Sequence, residues 1–209
     1  MAVKEASVVR PSARERLLAA ANELFYTEGV HTVGIDRVIE RAGVAKASLY
    51  NTFGSKDELV RAYLEIRQDS VAQIITQAVE RYDTPRERLL AVFVGQGELF
   101  AQPDYRGCAF ARASAESHPG DAAEQAAEGY RRWVRALLTE LAAQAGVPEP
   151  EALARQLHLL YDGSGQAARM DHDLAAADAA RAAAATLLDA ALARHSSADP
   201  SLPQHARQD

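Results

Sequence analysis

Between Gly29 and Leu64 the chain reads GVHTVGIDRVIERAGVAKASLYNTFGSKDELVRAYL, and this stretch leaves little freedom of fold. Ile35, Val38, Ile39 and Ala42 recur at helical spacing, so a helix with one buried face is expected over Ile35–Arg41. Gly43 stands where a helix needs a left-handed residue to stop, and Val44 resumes the apolar pattern. Leu49 and Phe53, four apart, belong to a second short helix over Lys46–Thr52. A helix, a tight glycine turn and a second helix make a helix-turn-helix, whose second helix lies in the major groove of DNA.

The same residues carry a family resemblance. Ala42-Gly43-Val44, Leu49-Tyr50, Phe53 and Ser55-Lys56-Asp57-Glu58-Leu59 resemble the DNA-binding domain of the TetR/AcrR family, over about Arg14 to Leu64. The resemblance implies an all-helical homodimer that represses transcription and leaves DNA when a small ligand binds its C-terminal domain. Gly34 and Thr52 depart from the usual pattern, where a Ser/Thr helix cap and a His or Tyr are common. Ala47 replaces a frequent Gly.

Around this segment the pattern is helical almost throughout and strand-forming runs are absent, so the fold class is all-α, with about nine helices. Ser12-Ala-Arg-Glu15 is a capping box for a first helix, whose apolar face holds Leu17, Leu18, Ala21, Leu24 and Phe25. Ser55-Lys-Asp-Glu58 opens a long fourth helix to about Arg81, with Leu59, Tyr63, Ile66, Ile74 and Val79 apolar. Thr84-Pro85-Arg-Glu87 starts a fifth, to about Ala101. Further helices are expected over Cys108–Ser117, Asp121–Ala145, Pro150–Met170 and Leu174–Arg194, with the polar turn Asp171–Asp173 between the last two. The expected organisation is a flexible arm at 1–10, a DNA-binding domain at 11–57, a ligand-binding and dimerisation domain at 58–194, and a disordered tail at 195–209.

No run of about 18 apolar residues exists to span a membrane, and the N-terminus lacks the apolar core of a signal peptide. A single cysteine, Cys108, suits a reducing compartment, so the cytoplasm is the expected location. The net charge is −6, yet the first 60 residues are balanced in charge and the rest carries the whole excess. A neutral head on an acidic body suits operator binding if its cations cluster on the docking face.

On the second short helix, Leu49, Phe53 and Ala45 define the inward side, which leaves Ala47, Ser48 and Asn51 toward base edges. Asn can bond adenine N6 and N7 together, and an alanine methyl can touch thymine. Lys46, Tyr50 and Thr52 flank them, where phosphates would fix register. Lys56 in the first turn of the fourth helix opposes the helix dipole, but that end suits a phosphate. Gly34 can cap only with its backbone, so His31, Thr32 or Arg37 would supply the missing contact. Arg10 and Arg14 are candidates for the minor groove.

For the body, the resemblance implies a ligand cavity enclosed by helices that carry Phe93, Leu99, Phe100, Phe110, Tyr130, Trp133, Leu137, Tyr161 and Met170. Arg112, His158, Tyr161, Asp162 and Ser164 are its polar candidates. Gly163 and Gly165 interrupt a helix and suggest close packing, a bend or room for a ligand. In the family the last two helices form the dimer interface; here Leu153, Leu157, Leu160, Leu187, Leu188 and Leu192 would serve. The expected partners are double-stranded operator DNA, a small-molecule effector and a second copy of the chain, with no membrane. No cofactor or metal is expected, because the histidines show no ligand spacing and Asp171-His172-Asp173 is a poor site. Enzyme motifs are lacking: Gly95-Gln-Gly97 has no third glycine, and Gly163-Ser-Gly165 is no nucleophile elbow. Two alternatives stay open. Cys108, after Arg106 at a helix start, would sense oxidants or electrophiles, or the head is vestigial on a small-molecule-binding protein.

Overall fold

The structure, a computed structural model, describes residues 11–198, among which there are nine helices and no strand. These are α1 (Ala13–Glu28), α2 (Ile35–Ala42), α3 (Lys46–Phe53), α4 (Lys56–Glu80), α5 (Pro85–Phe100), α6 (Ala109–Glu116), α7 (Ala122–Gln144), α8 (Pro150–Met170) and α9 (Ala176–Ala198). The starts follow from local chemistry. Ser12 Oγ accepts the Glu15 backbone N–H at 3.2 Å, and Glu15 Oε2 accepts that of Ser12 at 2.7 Å, which closes the capping box. Thr84 Oγ1 accepts the Glu87 N–H at 3.2 Å, with Pro85 in the first turn. Ser55 Oγ likewise accepts from Glu58 N–H at 3.1 Å, but the Glu58 side chain pairs with Arg61.

The described residues gather into two compact units, one of the chain up to Arg67 with Ala109–Ala127, the other of Gln68–Cys108 with the residues from Glu128 on. In the first unit, Leu17, Leu18, Ala21, Leu24 and Phe25 are all buried, as their spacing requires. They join Val33, Val38, Leu49, Leu59 and Tyr63, and Phe25 meets Tyr63 edge to face at 5.6 Å. α6, expected in the body, belongs here: Arg112 Nη1 donates to the carbonyls of Tyr26 and Thr27, both at 3.2 Å, at the end of α1.

In the second unit, α5 packs on α8 and α9, and its run Leu89–Phe93 is buried on every side. A helix so surrounded has apolar residues all round rather than one stripe. Gly95 lets α4 come close: a Cβ there would stand 3.0 Å from both Ala78 Cβ and Ile75 Cα.

Several expectations are corrected. Ala45 is exposed, because it is the N-cap residue of α3 rather than part of its inward face. Ile66 and Met170 are exposed, the latter at 73%, so neither lies in a core. Leu153, Leu157 and Leu188 are buried within the single chain and leave nothing for a partner. α8 runs unbroken through Gly163 and Gly165, and a Cβ at Gly163 would meet nothing. α9 starts at Ala176 and continues to Ala198, past the expected end at Arg194. The expected arm, 1–10, and positions 199–209 of the expected tail lie outside the described residues.

Gly95→Ala should destabilise the chain by about 1–3 kcal/mol, since the methyl would meet backbone that cannot turn away. A urea-denaturation midpoint unchanged from the parent chain would contradict the close approach of α4 and α5.

Candidate nucleic-acid interface

The turn between α2 and α3 sets the direction of α3. Gly43 adopts φ 61°, ψ 44°, the left-handed region that L side chains avoid. Its N–H donates to Glu40 O at 3.1 Å and that of Val44 to Ile39 O at 3.3 Å, the paired bonds of a Schellman stop. From α1, Arg16 Nη1 donates to the carbonyls of Ala42 at 3.3 Å and Gly43 at 3.0 Å. Leu49, fully buried, anchors α3, and Gly54 at φ 76° ends it.

Beyond that anchor α3 is open. Lys46, Ala47, Tyr50, Asn51 and Thr52 are exposed, as are Thr32 and Arg37, whereas Ser48 and Lys56 are half-buried. Tyr50 is 45% exposed, which is inconsistent with a purely packing role. Thr52 Oγ1 donates to Ser48 O at 2.6 Å and so is turned onto its own helix. Gly34 caps α2 without a side chain. Arg14 belongs to α1, not to an arm, and its guanidinium lies over the Phe53 ring at 5.7 Å.

The cations of this face are held by acids of the same unit. Lys46 Nζ lies 2.9 Å from Asp36 Oδ1, and this bond raises the lysine's pKa. Arg37 takes both oxygens of Glu28, at 2.5 and 2.9 Å, and Arg41 pairs with Glu23 at 2.6 Å. Exposed pairs of this kind contribute little to stability, so phosphates can compete for the cations. Lys56 differs: partial burial lowers its pKa against the pull of Asp57 and Glu116. Neither Arg16 nor the acid partners stood out in the sequence, since no spacing rule links residues across a turn.

The residues assigned to a ligand cavity divide between the units. Phe110 and Arg112 fall in the first, where Arg112 pairs with Glu116 as well as with the α1 carbonyls. In the second unit Phe93 and Phe100 are buried, and Trp133, half-buried, lies 5.8 Å from the ring of Tyr130. The Tyr130 and Tyr161 hydroxyls share a hydrogen bond of 2.8 Å, and burial pushes both phenols well above their ordinary pKa. Gln96 Nε2 donates to Tyr161 O at 2.7 Å, and Ser164 Oγ donates to Gln96 Oε1 at 2.7 Å. His158 is buried, its Nε2 bonded to nothing and 3.6 Å from Asp162 Oδ1, while Asp162 pairs with Arg131 at 2.7 Å. Burial lowers the His158 pKa; Asp162 opposes this, and Arg131 and Arg135 add to it. Cys108, exposed, directly precedes α6.

The family model described as "Bacterial regulatory proteins, tetR family" matches residues 17–63, the three helices of the head and the start of α4. Across the fold the chain is similar to SCO4454, a TetR-family transcriptional regulator from Streptomyces coelicolor. Identity is 33% and the TM-score 0.80, over 86% of this chain and 95% of that one. This chain belongs to the TetR family. A putative TetR-family regulator from Streptomyces avermitilis matches over 87% of this chain and 98% of its own, at 34% identity and TM-score 0.75. Among curated proteins, the transcriptional activator FasR of Mycolicibacterium smegmatis is 40% identical over 82 residues, 39% of this chain. Those residues span only 37% of FasR. In this TetR-family chain α1–α3 form the N-terminal helix-turn-helix domain, which is the part that the sequence made most legible.

Two outcomes follow from these groups. Asp36→Asn removes the acid that a phosphate must displace from Lys46, so DNA binding should tighten by about 1.4- to 5-fold; an unchanged affinity would contradict the competition. Since the buried His158 holds its pKa below the ordinary 6.5, the unfolded chain takes up its proton first as pH falls. Stability is therefore present above 6.5 and declines as pH drops through the window below it. Between about pH 8 and about pH 5.5, His158→Gln should lose less Tm than the parent chain; equal losses would contradict it.

Proposed function

We propose that this chain is a repressor that binds a palindromic double-stranded operator as a homodimer and releases it when a small molecule binds the second unit. One observation carries the DNA part: the exposed side of α3 presents Ala47, Tyr50 and Asn51 on a helix anchored by Leu49 and aimed by Gly43. Asn51 would read adenine and Ala47 a thymine methyl, with Ser48 beside them. Lys46 and Arg37 would meet phosphates once their ion pairs open, Thr52 once its hydroxyl leaves Ser48 O, and Tyr50, Lys56 and Thr32 directly.

Repression requires only that the bound dimer occupy the promoter, whereas activation requires a further surface for the polymerase. The dimer reading moves from the buried leucines to the open faces of the last two helices. Leu159, Gly163 and Met170 share one exposed face of α8, and Ala179, Ala182, Thr186 and Ala190 one exposed face of α9. The bare surface at Gly163 suits the close approach of a partner helix. Two heads so joined would meet half-sites about 34 Å apart, one helical turn.

The effector reading is supported by His158. A buried nitrogen without a partner is costly, and a ligand's polar group that bonds it would relieve that cost. A mostly apolar molecule with one polar group would fit Phe93, Trp133, His158 and Tyr161. It can release DNA only through a higher affinity for the conformer whose heads are wrongly spaced, with coupling through α4 and α6. Among the described residues no helix is long and apolar enough to cross a membrane, and we place the protein in the cytoplasm. Cys108 offers a second trigger, because it is an exposed residue immediately before α6.

The test is fluorescence anisotropy on the DNA upstream of its own gene against a scrambled duplex, over several salt concentrations. A preference of at least about a thousandfold is expected, with Asn51→Ala losing about 1–3 kcal/mol of it. Equal, salt-sensitive binding to both duplexes would refute an operator there and favour a vestigial head. Cys108→Ser that abolishes release by oxidants would move the trigger to the thiol.

A further inference from the structure

The histidines show no ligand spacing along the chain, yet the fold of the first unit brings two of them to one carboxylate. His31 lies in the loop between α1 and α2; His118 and Asp121 lie in the turn between α6 and α7. One ligand atom from each stands within 4.8 Å of the other two, and the imidazole rings are 6.0 Å apart. We propose that His31, His118 and Asp121 form a divalent transition-metal site, taking Zn(II), that pins the α1–α2 loop to the α6–α7 turn.

The backbone beneath these side chains is already tied in place. The His31 N–H donates to Glu116 Oε2 at 3.3 Å. Asp121 N–H donates to His118 O at 3.1 Å, and Asp121 Oδ2 accepts the His118 N–H at 2.8 Å. The same carboxylate oxygen stands 3.7 Å from His118 Nδ1. Within that turn Gly120 adopts φ 90° and donates its N–H to Glu124 Oε2 at 2.6 Å. Only the side-chain torsions remain to adjust. Ligand atoms around tetrahedral zinc stand about 3.3 Å apart, so the site must contract by up to about 1.5 Å. Both imidazoles are exposed and can rotate to do so.

The donor set favours zinc over harder ions. Two imidazoles and one carboxylate suit Zn(II), Co(II) or Ni(II), whereas Mg(II) and Ca(II) prefer oxygen throughout. Three protein ligands leave the fourth position to water. Glu116, whose carboxylate bonds the loop beside His31, and Glu124 add negative charge nearby, partly offset by Arg112. The pinned loop leads directly into Gly34 and the first turn of α2, so the metal would stiffen the approach to the helix-turn-helix.

Metal binding itself is the readout, so the outcome does not depend on whether the protein binds an operator. The full chain, freed of metal with EDTA and carrying no affinity tag, is titrated with Co(II) and followed by its visible d–d bands, then with Zn(II) in competition. One Co(II) per chain, displaced by Zn(II), is expected, with affinity at least about tenfold weaker in His31→Ala and in His118→Ala. Both positions are exposed, and unchanged far-UV circular dichroism would establish that the variants fold. No metal-dependent spectrum, or equal affinity in the parent chain and both variants, would overturn the site.

Discussion

The two hydrogen bonds from Arg16 to the carbonyls of Ala42 and Gly43 hold the part of the chain on which the DNA-reading surface depends. A helix end leaves carbonyls without partners, and here three groups take them: the N–H of Gly43, the N–H of Val44 and the guanidinium of Arg16. With the turn sealed, α3 leaves at one angle and drives Leu49 into the core of α1 and α2. Whatever lies on the other side of α3 must then face outward. The outward placement of Ala47, Tyr50 and Asn51 thus depends on Gly43 and Arg16.

Around that surface the charges are arranged for exchange rather than for attraction at long range. Three cations of that face already hold an acid, Lys46 with Asp36, Arg37 with Glu28 and Arg41 with Glu23, and among the described residues Lys56 alone of the proposed phosphate contacts is a cation without such a pair. In the proposed complex such a face would attract DNA weakly until the register is right. Docking would then trade three exposed ion pairs for phosphate contacts, and only a duplex that also satisfies α3 would gain more. A head balanced in charge on a body that carries the whole −6 fits the same logic, with low non-specific affinity as its consequence.

The sequence made the local structure legible where chemistry acts over three or four residues. The capping box at Ser12, the N-cap at Thr84, the stop at Gly43 and the periodic cores of α1 and α2 all appear as their spacing requires. Contacts between distant segments were not legible. Arg112 caps α1 from α6, and His31 meets Asp121, because the fold returns the chain to its own head. Burial was also misjudged on amphipathic helices with many alanines, where a small residue suits either side. Leu157 faces inward and Leu159 outward two positions on, and the alanine-rich sequence of α9 does not say which stripe is which.

The central claim is that α3 reads sequence in two symmetric half-sites. Selection from a random duplex library, sequenced after several rounds of binding to the full chain, measures that directly. The account predicts a palindromic motif whose half-site centres lie about 34 Å apart, with the preference at one base pair per half-site lost in Asn51→Ala. Recovery of no motif, or of one that is unchanged in the Asn51 variant, would contradict it.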